Sequence, residues 1–228
     1  MREITPGQIG TFLLLFALIL LVALPAAWFG VGMLPLGEFR AMAITFASVI
    51  GVYLVAFVVY RSFLGLVPLE QGELREGSRG EFAAQVNILF YLILFNTLIR
   101  THFLPVPLLR LVYLALGAKM GKNSYSAGVL LDPPLTFVGD NCIIGHDAVI
   151  FAHAIEGSSL ALAAVHIGHN VTIGATAVVM SGVTIGDGAI VSAGAVVRKG
   201  TRIGAGETWG GVPARQLHQR RECDAGAN

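Results

Sequence analysis

Charge is scarce in this chain. Only 13% of its 228 residues are Asp, Glu, Lys or Arg, against 55% apolar, and the formal net charge is +1. A balance so close to neutral, with no basic run interleaved with aromatics, excludes a nucleic-acid-binding surface of the usual kind. Cysteine is nearly absent: Cys142 and Cys223 stand far apart. With no CxxC and no Cys/His ligand spacing, a disulfide framework and a zinc site of the finger type are excluded as well. Glycine is sparse in the first hundred residues and dense afterwards, most of the 28 following Gly117. The chain therefore divides into two unlike halves.

The first half lacks charge over whole stretches. There is none from Ile9 to Leu34 and none from Ala41 to Tyr60, and each stretch is long enough to cross about 30 Å of hydrocarbon as a helix. Separated only by "PLGEFR" at 35–40, they predict a transmembrane helical hairpin over residues 1–62, with Pro25 kinking its first helix. A cleaved signal peptide, suggested by Arg2 and by "ALPAA", fits less well, because the apolar run continues past that point and a second one succeeds it. Arg2 with the α-amine, and Arg61, Arg75 and Arg79, outnumber Arg40 in the connecting loop. The positive-inside rule then puts both chain ends in the cytoplasm, below a bacterial-type inner membrane.

Residues 63–115 read as a polar linker followed by helices lying on the membrane surface. The stretch 82–99 is uncharged but carries Gln85, Asn87, Asn96 and Thr97, and prolines at 105 and 107 interrupt the apolar residues beyond it. One or two interfacial or re-entrant helices are expected here in preference to a third crossing.

The second half has a period of six. Ile167, Ile173, Val179, Ile185, Val191, Val197 and Ile203 are evenly spaced, with Gly168, Gly174, Gly186 and Gly204 directly after four of them. Four residues beyond each aliphatic stand Val171, Ala177, Val183, Ala189, Ala195 and Thr201, nearly all small or β-branched. Neither 3.6 nor 2 produces this pattern. It suits a stack of coils made of short flat strands joined by tight bends, each coil completing its neighbour's core and the ends needing caps.

The count slips twice. Counting from Met120 places Ser126 and Asp132 where aliphatics are due, next to "LDPPL" at 131–135. After Ile150 the next aliphatic is due at Glu156, but the pattern resumes at Ile167, eleven residues late. A loop of about that size is expected to leave the coil, with His153 at its root. Cys142 falls at a small inward position and reads as a core residue.

"VGDNCIIGHDAV", "IGHNVTIGATAVVMSGVTIGDGAIVSAGAVV" and the closing "WGGVPARQL" resemble the hexapeptide-repeat acyltransferases over residues 116–217, leaving 218–228 as a disordered tail. That resemblance implies a left-handed parallel β-helix, so the fold class expected is mixed: a helical hairpin with interfacial helices, then the β-helix. It also implies a homotrimer with acyl-CoA, most simply acetyl-CoA, as co-substrate in the cleft between subunits, and no metal. In that family a histidine at the start of an extruded loop is the general base, which assigns the role to His153; Glu156 would orient its ring.

The same resemblance implies that the donor's pantetheine arm passes Ala193 and Gly194, whose small size permits close approach. Arg198, Lys199 and Arg215 are set against its phosphates, and Trp209 against the adenine or as a cap. Asp132 and His166 are read as substrate-binding. The bilayer and a membrane-associated glycan or lipid acceptor, offering a hydroxyl or an amine, complete the expected partners, with the β-helix on the cytoplasmic side. Whether Leu160 and Leu162 of the loop meet acceptor lipid or a neighbouring subunit is left open.

His146 and His169 read as surface turns, and His102 and His218 belong to no motif. Two other functions are compatible with these residues. One is a non-catalytic trimeric scaffold at the membrane. The other is a metal-dependent enzyme like the γ-type carbonic anhydrases, using His146, His153, His166 and His169.

Overall fold

The computed structural model describes residues 4–101, 103–157 and 159–219. His102, Cys223 and residues 220–228 of the expected tail lie outside the described residues. The chain forms two compact units, Met1–Leu69 with Arg75–Thr97, and Glu70–Leu74 with Leu98–Asn228.

In the first unit, α1 (Pro6–Gly32) begins at a capping box in which Thr5 and Gln8 satisfy each other's backbone N–H groups, and it runs through Pro25. It packs against α2 (Arg40–Leu66), and Gly51 lies close enough to Ala23 for small residues to set the approach. Ser78 caps α3 (Arg79–Phe90), which continues through a π-helical turn at Tyr91–Phe95 into α4 (Asn96–Arg100).

Three stretches, Pro6–Gly32, Gly37–Leu66 and Arg79–Arg100, are therefore long and apolar enough to cross a membrane. The third covers most of the stretch read as interfacial helices. Gln85 and Asn87 are buried in the unit, and Asn87 accepts a hydrogen bond of 2.6 Å from the Tyr60 hydroxyl. These two polar groups are thereby withdrawn from the outer surface, whereas Thr97 stays exposed. Phe12, Tyr60, Phe90 and Phe95 form a ring cluster between the helices, with centroids 5.2 to 6.3 Å apart.

In the second unit, α5 (Val106–Leu116) buries Leu109, Val112, Tyr113 and Leu116, the spacing of one helical face. It closes the first coil from below. Tyr113 Oη donates to Gly128 O and accepts from Leu130 N–H, and the Arg110 guanidinium donates to the carbonyls of Gly121 and Ser124. The open edge of the stack is thereby covered.

Beyond α5 the chain winds into three parallel faces. The first is Lys119–Met120, Thr136–Val138, Val165–Ile167, Thr184–Ile185 and Arg202–Ile203. The second is Tyr125–Ser126, Ile143–Ile144, Thr172–Ile173, Ile190–Val191 and Glu207–Gly210. The third is Val129–Leu130, Val149–Ile150, Val178–Val179 and Val196–Val197. Ile167 pairs with Ile185 and Ile185 with Ile203, so one coil takes 18 residues. These ladders are consistent with the expected left-handed parallel β-helix. The strand Arg215–Gln219 returns antiparallel along Glu207–Gly210 and carries the chain into the first two residues assigned to a tail.

Gly168, Gly174 and Gly186, each directly after an aliphatic, are required by contact with the next coil rather than by their own dihedral. A Cβ on Gly186 would stand 2.6 Å from Ala205 N. The left-handed residue of each corner comes later, at Asn170, Thr176, Gly182, Gly188, Gly194, Gly200 and Gly206, again every sixth position.

The first slip in the count is a redistribution within one coil. Leu130, not Asp132, points inward and pairs with Ile150. The preceding corner is two residues short and the following one two residues long. Gly128 makes the short corner possible, since any Cβ there would collide with Ala148 O. The long corner is a 3-10 turn, Pro133–Leu135, after Asp132. The second slip is a β-hairpin, His153–Glu156 with Ser159–Leu162, closed at its root by Ala163 N–H donating to Ala152 O at 2.8 Å.

Gly186→Ala is expected to destabilise by about 3 kcal/mol or more, because the backbone of the next coil must move. At Gly200 the Cβ position is open and only φ +69° is unfavourable, so Gly200→Ala should cost about 1–2 kcal/mol. Thermal unfolding of the detergent-solubilised protein, followed by tryptophan fluorescence, checks the order.

Candidate active site

Asp132 and the root of the hairpin occupy the same corner of successive coils. Because Leu130 lies beside Ile150, Asp132, two residues on, lies beside Ala152 and His153. Its side chain is 3% exposed, and Oδ2 accepts from Ala152 N–H at 2.8 Å, from His153 N–H at 3.1 Å and from His153 Nδ1 at 2.6 Å. The carbonyl of Asp132 is itself fixed by Leu135 N–H and Thr136 Oγ1, both at 3.0 Å. The carboxylate is therefore held by its own turn before it holds the histidine.

This geometry fixes the tautomer. An Nδ1–H donating to a carboxylate leaves the lone pair on Nε2. The His153 side chain is 25% exposed, and its ring lies 5.6 Å from that of Phe151. Burial alone would lower its pKa, but the hydrogen bond to Asp132 and that residue's negative charge outweigh burial, and the pKa is raised above the usual value. The result is an oriented base of enhanced proton affinity.

The carboxylate expected to orient the ring is a different one. Glu156 sits at the far end of its strand, and its carboxylate accepts from Lys199 Nζ at 2.5 and 2.6 Å. Asp132, read as substrate-binding, is the residue on the ring. The six-residue count hides this, because it puts an inward side chain at 132; the register of Leu130 reveals it.

The residues assigned to the donor do not share one surface of the chain. Ala193 and Gly194 form the corner between the second and third faces, whereas Arg198 and Lys199 form the corner between the third and first. Trp209 Nε1 donates to Glu207 Oε2 at 2.8 Å, and Arg215 pairs with Gly210 in the closing strand, so both belong to the terminal cap.

His166 stands on the first face with its ring stacked at 4.7 Å on Phe137, and Lys119 Nζ lies 4.8 Å from the same ring's centroid. All three line an open groove of about 740 Å³ together with Leu114 and Thr184.

The other histidines occupy other edges. His146 turns between the second and third faces beside Asp147, and His169 turns between the first and second, its Nδ1 accepting from Asp140 N–H at 3.0 Å. Among the described residues no three His, Cys, Asp or Glu side chains converge as metal ligands. Cys142 is buried, its thiol donating to Gly168 O at 3.0 Å, and burial pushes its pKa up.

Residues 164–199 match the bacterial transferase hexapeptide, a family model of six repeats. No curated protein matches the chain at a significant level. Among solved structures, galactoside acetyltransferase in complex with coenzyme A is 19% identical, with a TM-score of 0.50 over 66% of this chain and 87% of that one. A hexapeptide-repeat acetyltransferase from Vibrio cholerae, complexed with acetyl coenzyme A, is 24% identical with a TM-score of 0.43, over 46% of this chain and 62% of that one. The chain thus spans less than two thirds of the Vibrio protein's length. Serine acetyltransferase from Neisseria gonorrhoeae is 16% identical with a TM-score of 0.41, over 93% of this chain and 71% of that one. At 19% identity, what galactoside acetyltransferase shares with the chain is the fold.

Asp132→Asn removes the charge that raises the His153 pKa and leaves its burial in place. The midpoint for His153 should then move to lower pH. The pH dependence of diethyl pyrocarbonate modification at His153, read by peptide mass spectrometry, checks the shift; an unchanged or higher midpoint contradicts it.

Proposed function

We propose that this hexapeptide-repeat protein is a membrane-bound acyltransferase that moves an acyl group, acetyl in the simplest case, from acyl-CoA to a hydroxyl of a lipid-linked sugar or glycolipid. The observation that carries this reading is the dyad: a buried Asp132 fixing His153 with Nε2 free at the root of a loop on a hexapeptide β-helix. A hydroxyl is a poor nucleophile at neutral pH, and a positioned imidazole supplies what it lacks.

In the proposed step Nε2 takes the hydroxyl proton as the oxygen attacks the thioester carbonyl. The C–O bond forms, the tetrahedral intermediate collapses with cleavage of C–S, and the proton passes from Nε2 to the departing thiolate. Asp132 stabilises the imidazolium that exists between the two transfers. Backbone N–H groups at the glycine-rich corners are suited to the oxyanion.

The membrane part of the proposal rests on the three apolar helices, which leave Leu14, Leu21, Trp28, Phe29 and Phe46 each at least 60% exposed. Side chains of this kind on long helices fit lipid rather than water. A cytoplasmic β-helix, a homotrimer and a donor bound between subunits are part of the same proposal.

His153→Ala is expected to lower kcat by about 10²- to 10⁴-fold, with coenzyme A release from acetyl-CoA followed in membranes containing the full chain. Mass spectrometry of membrane lipids and glycans should show one acyl mass difference lost in the variant. Full turnover and an unchanged lipid profile in His153→Ala would falsify the role given to His153, and a parent protein that releases no coenzyme A favours a scaffold.

A further inference from the structure

The loop that carries His153 has a third strand that comes from outside the β-helix repeat. Gly72–Glu73 adds antiparallel to Ser159–Leu162, with Gly72 opposite Leu162 and Glu73 opposite Ala161. Leu162 is in turn opposite His153, so Gly72, Leu162 and His153 lie on one rung. The addition is tied at several points. Leu74 N–H donates to Leu160 O at 2.8 Å, Ala164 N–H donates to the Gln71 side-chain oxygen at 3.2 Å, and Ser159 Oγ donates to Glu73 Oε1 at 2.8 Å. Leu74, Leu160 and Leu162 are all buried. In the chain, this segment is flanked on both sides by residues of the helical unit.

A two-stranded hairpin is marginal on its own, and its outer strand would offer an unpaired edge. Among the described residues the hairpin's other ties lie mostly at its root: the bonds from Ala152 and His153 to Asp132, the Ala163–Ala152 bond and the bond from Gly182 N–H to Ala163 O, with the exposed Glu156–Lys199 pair further out. An exposed ion pair contributes little. Three backbone or side-chain bonds and a buried leucine from the strap are therefore what orders the outer strand, Ser159–Leu162, beyond its pairing with the first.

We infer that Gln71–Leu74 is a positioning strap for His153: it fixes the hairpin so that the ring stays on Asp132 with Nε2 presented to the acceptor. The inference rests on the proposed acyltransfer for its kinetic consequence and on the loop's geometry alone for its structural one. Gln71, Gly72, Glu73 and Leu74 touch no reacting atom in this scheme. They act through Ser159–Leu162. The linker between apolar helices thereby becomes part of the machinery that orders the base.

The test uses the full chain in detergent or nanodiscs, with Leu74→Ala as the mild variant and Gly72→Pro as the severe one, since Gly72 has φ +109°, which proline cannot adopt. Hydrogen exchange of the Ser159–Leu162 amides should accelerate at least about tenfold in both, while the amides of Val178–Val179 keep their protection; loss of protection there marks global misfolding and disqualifies that variant in favour of the other. Diethyl pyrocarbonate reactivity of His153 should rise. With acetyl-CoA, kcat should fall on the order of 10- to 100-fold, with KM for acetyl-CoA within about twofold of the parent.

Unchanged exchange and unchanged His153 reactivity overturn the strap, whatever the turnover. Faster exchange with unchanged kcat, in a protein that His153→Ala inactivates, overturns the positioning role and leaves the acyltransfer reading intact. If the parent itself transfers no acyl group, the proposed function fails, and exchange and reactivity alone decide the strap.

Discussion

The register of one coil on the next is the constraint on which the site depends. A parallel stack puts equivalent positions about 4.8 Å apart, so a side chain in one corner can reach only its counterparts directly above and below. Asp132 reaches His153 because Leu130 takes the inward place beside Ile150, leaving Asp132 free at the corner. Had the aliphatic fallen at 132, as an even count of six would have it, the carboxylate position would be core. The short corner at Gly128 and the long one at Pro133–Leu135 are thus two parts of one adjustment. Together they keep the coil at its full length while turning a core position into a polar one.

The same constraint explains why so large a loop is tolerated. The hairpin leaves and rejoins the coil at one rung, Ala152 beside Ala163, so no coil is displaced and the inward column continues at Ile167. Closing such a loop costs entropy that grows only slowly with its length, but a loop that must hold a side chain to within hydrogen-bonding distance needs more than closure. Here the order comes from two directions. Asp132 ties the root from the coil beneath, and the strap pairs with the outer strand.

Much of this fold was legible in the sequence because its period is strict and its chemistry local: one aliphatic per six, glycine after several of them and a small or β-branched residue four places on. His153 was legible for a related reason, since the break in the period marks where the chain leaves the wall. Its partner was not, because Asp132 and His153 are joined by stacking across a coil whose residues are unevenly shared among its corners. The strap was hidden for a stronger reason. Gln71–Leu74 is a short polar stretch with no periodicity, and its pairing with residues some ninety positions later is fixed only by the folded loop. In the helical unit the polar residues of 82–99 argue for a surface helix, and the partner that buries one of them, Tyr60 against Asn87, is visible only in the folded unit.

Two carboxylates compete for the role of orienting His153, and burial decides between them. Glu156 is three residues away in sequence, but its side chain is 60% exposed and already paired with Lys199, itself 53% exposed. At such a site water and salt screen the charge, and the pair is worth at most about 1 kcal/mol. Asp132 is 3% exposed, where the same charge acts through a lower effective dielectric. Two backbone N–H groups also point at its Oδ2, which offsets the cost of burying the carboxylate and holds it in place. A group so fixed can raise the proton affinity of His153 against the opposing effect of burial, and it can favour one tautomer continuously rather than on encounter. Proximity in sequence is therefore the weaker guide here. What selects the partner is the place where a charge can be both buried and satisfied, and the coil provides that place at the corner below the loop.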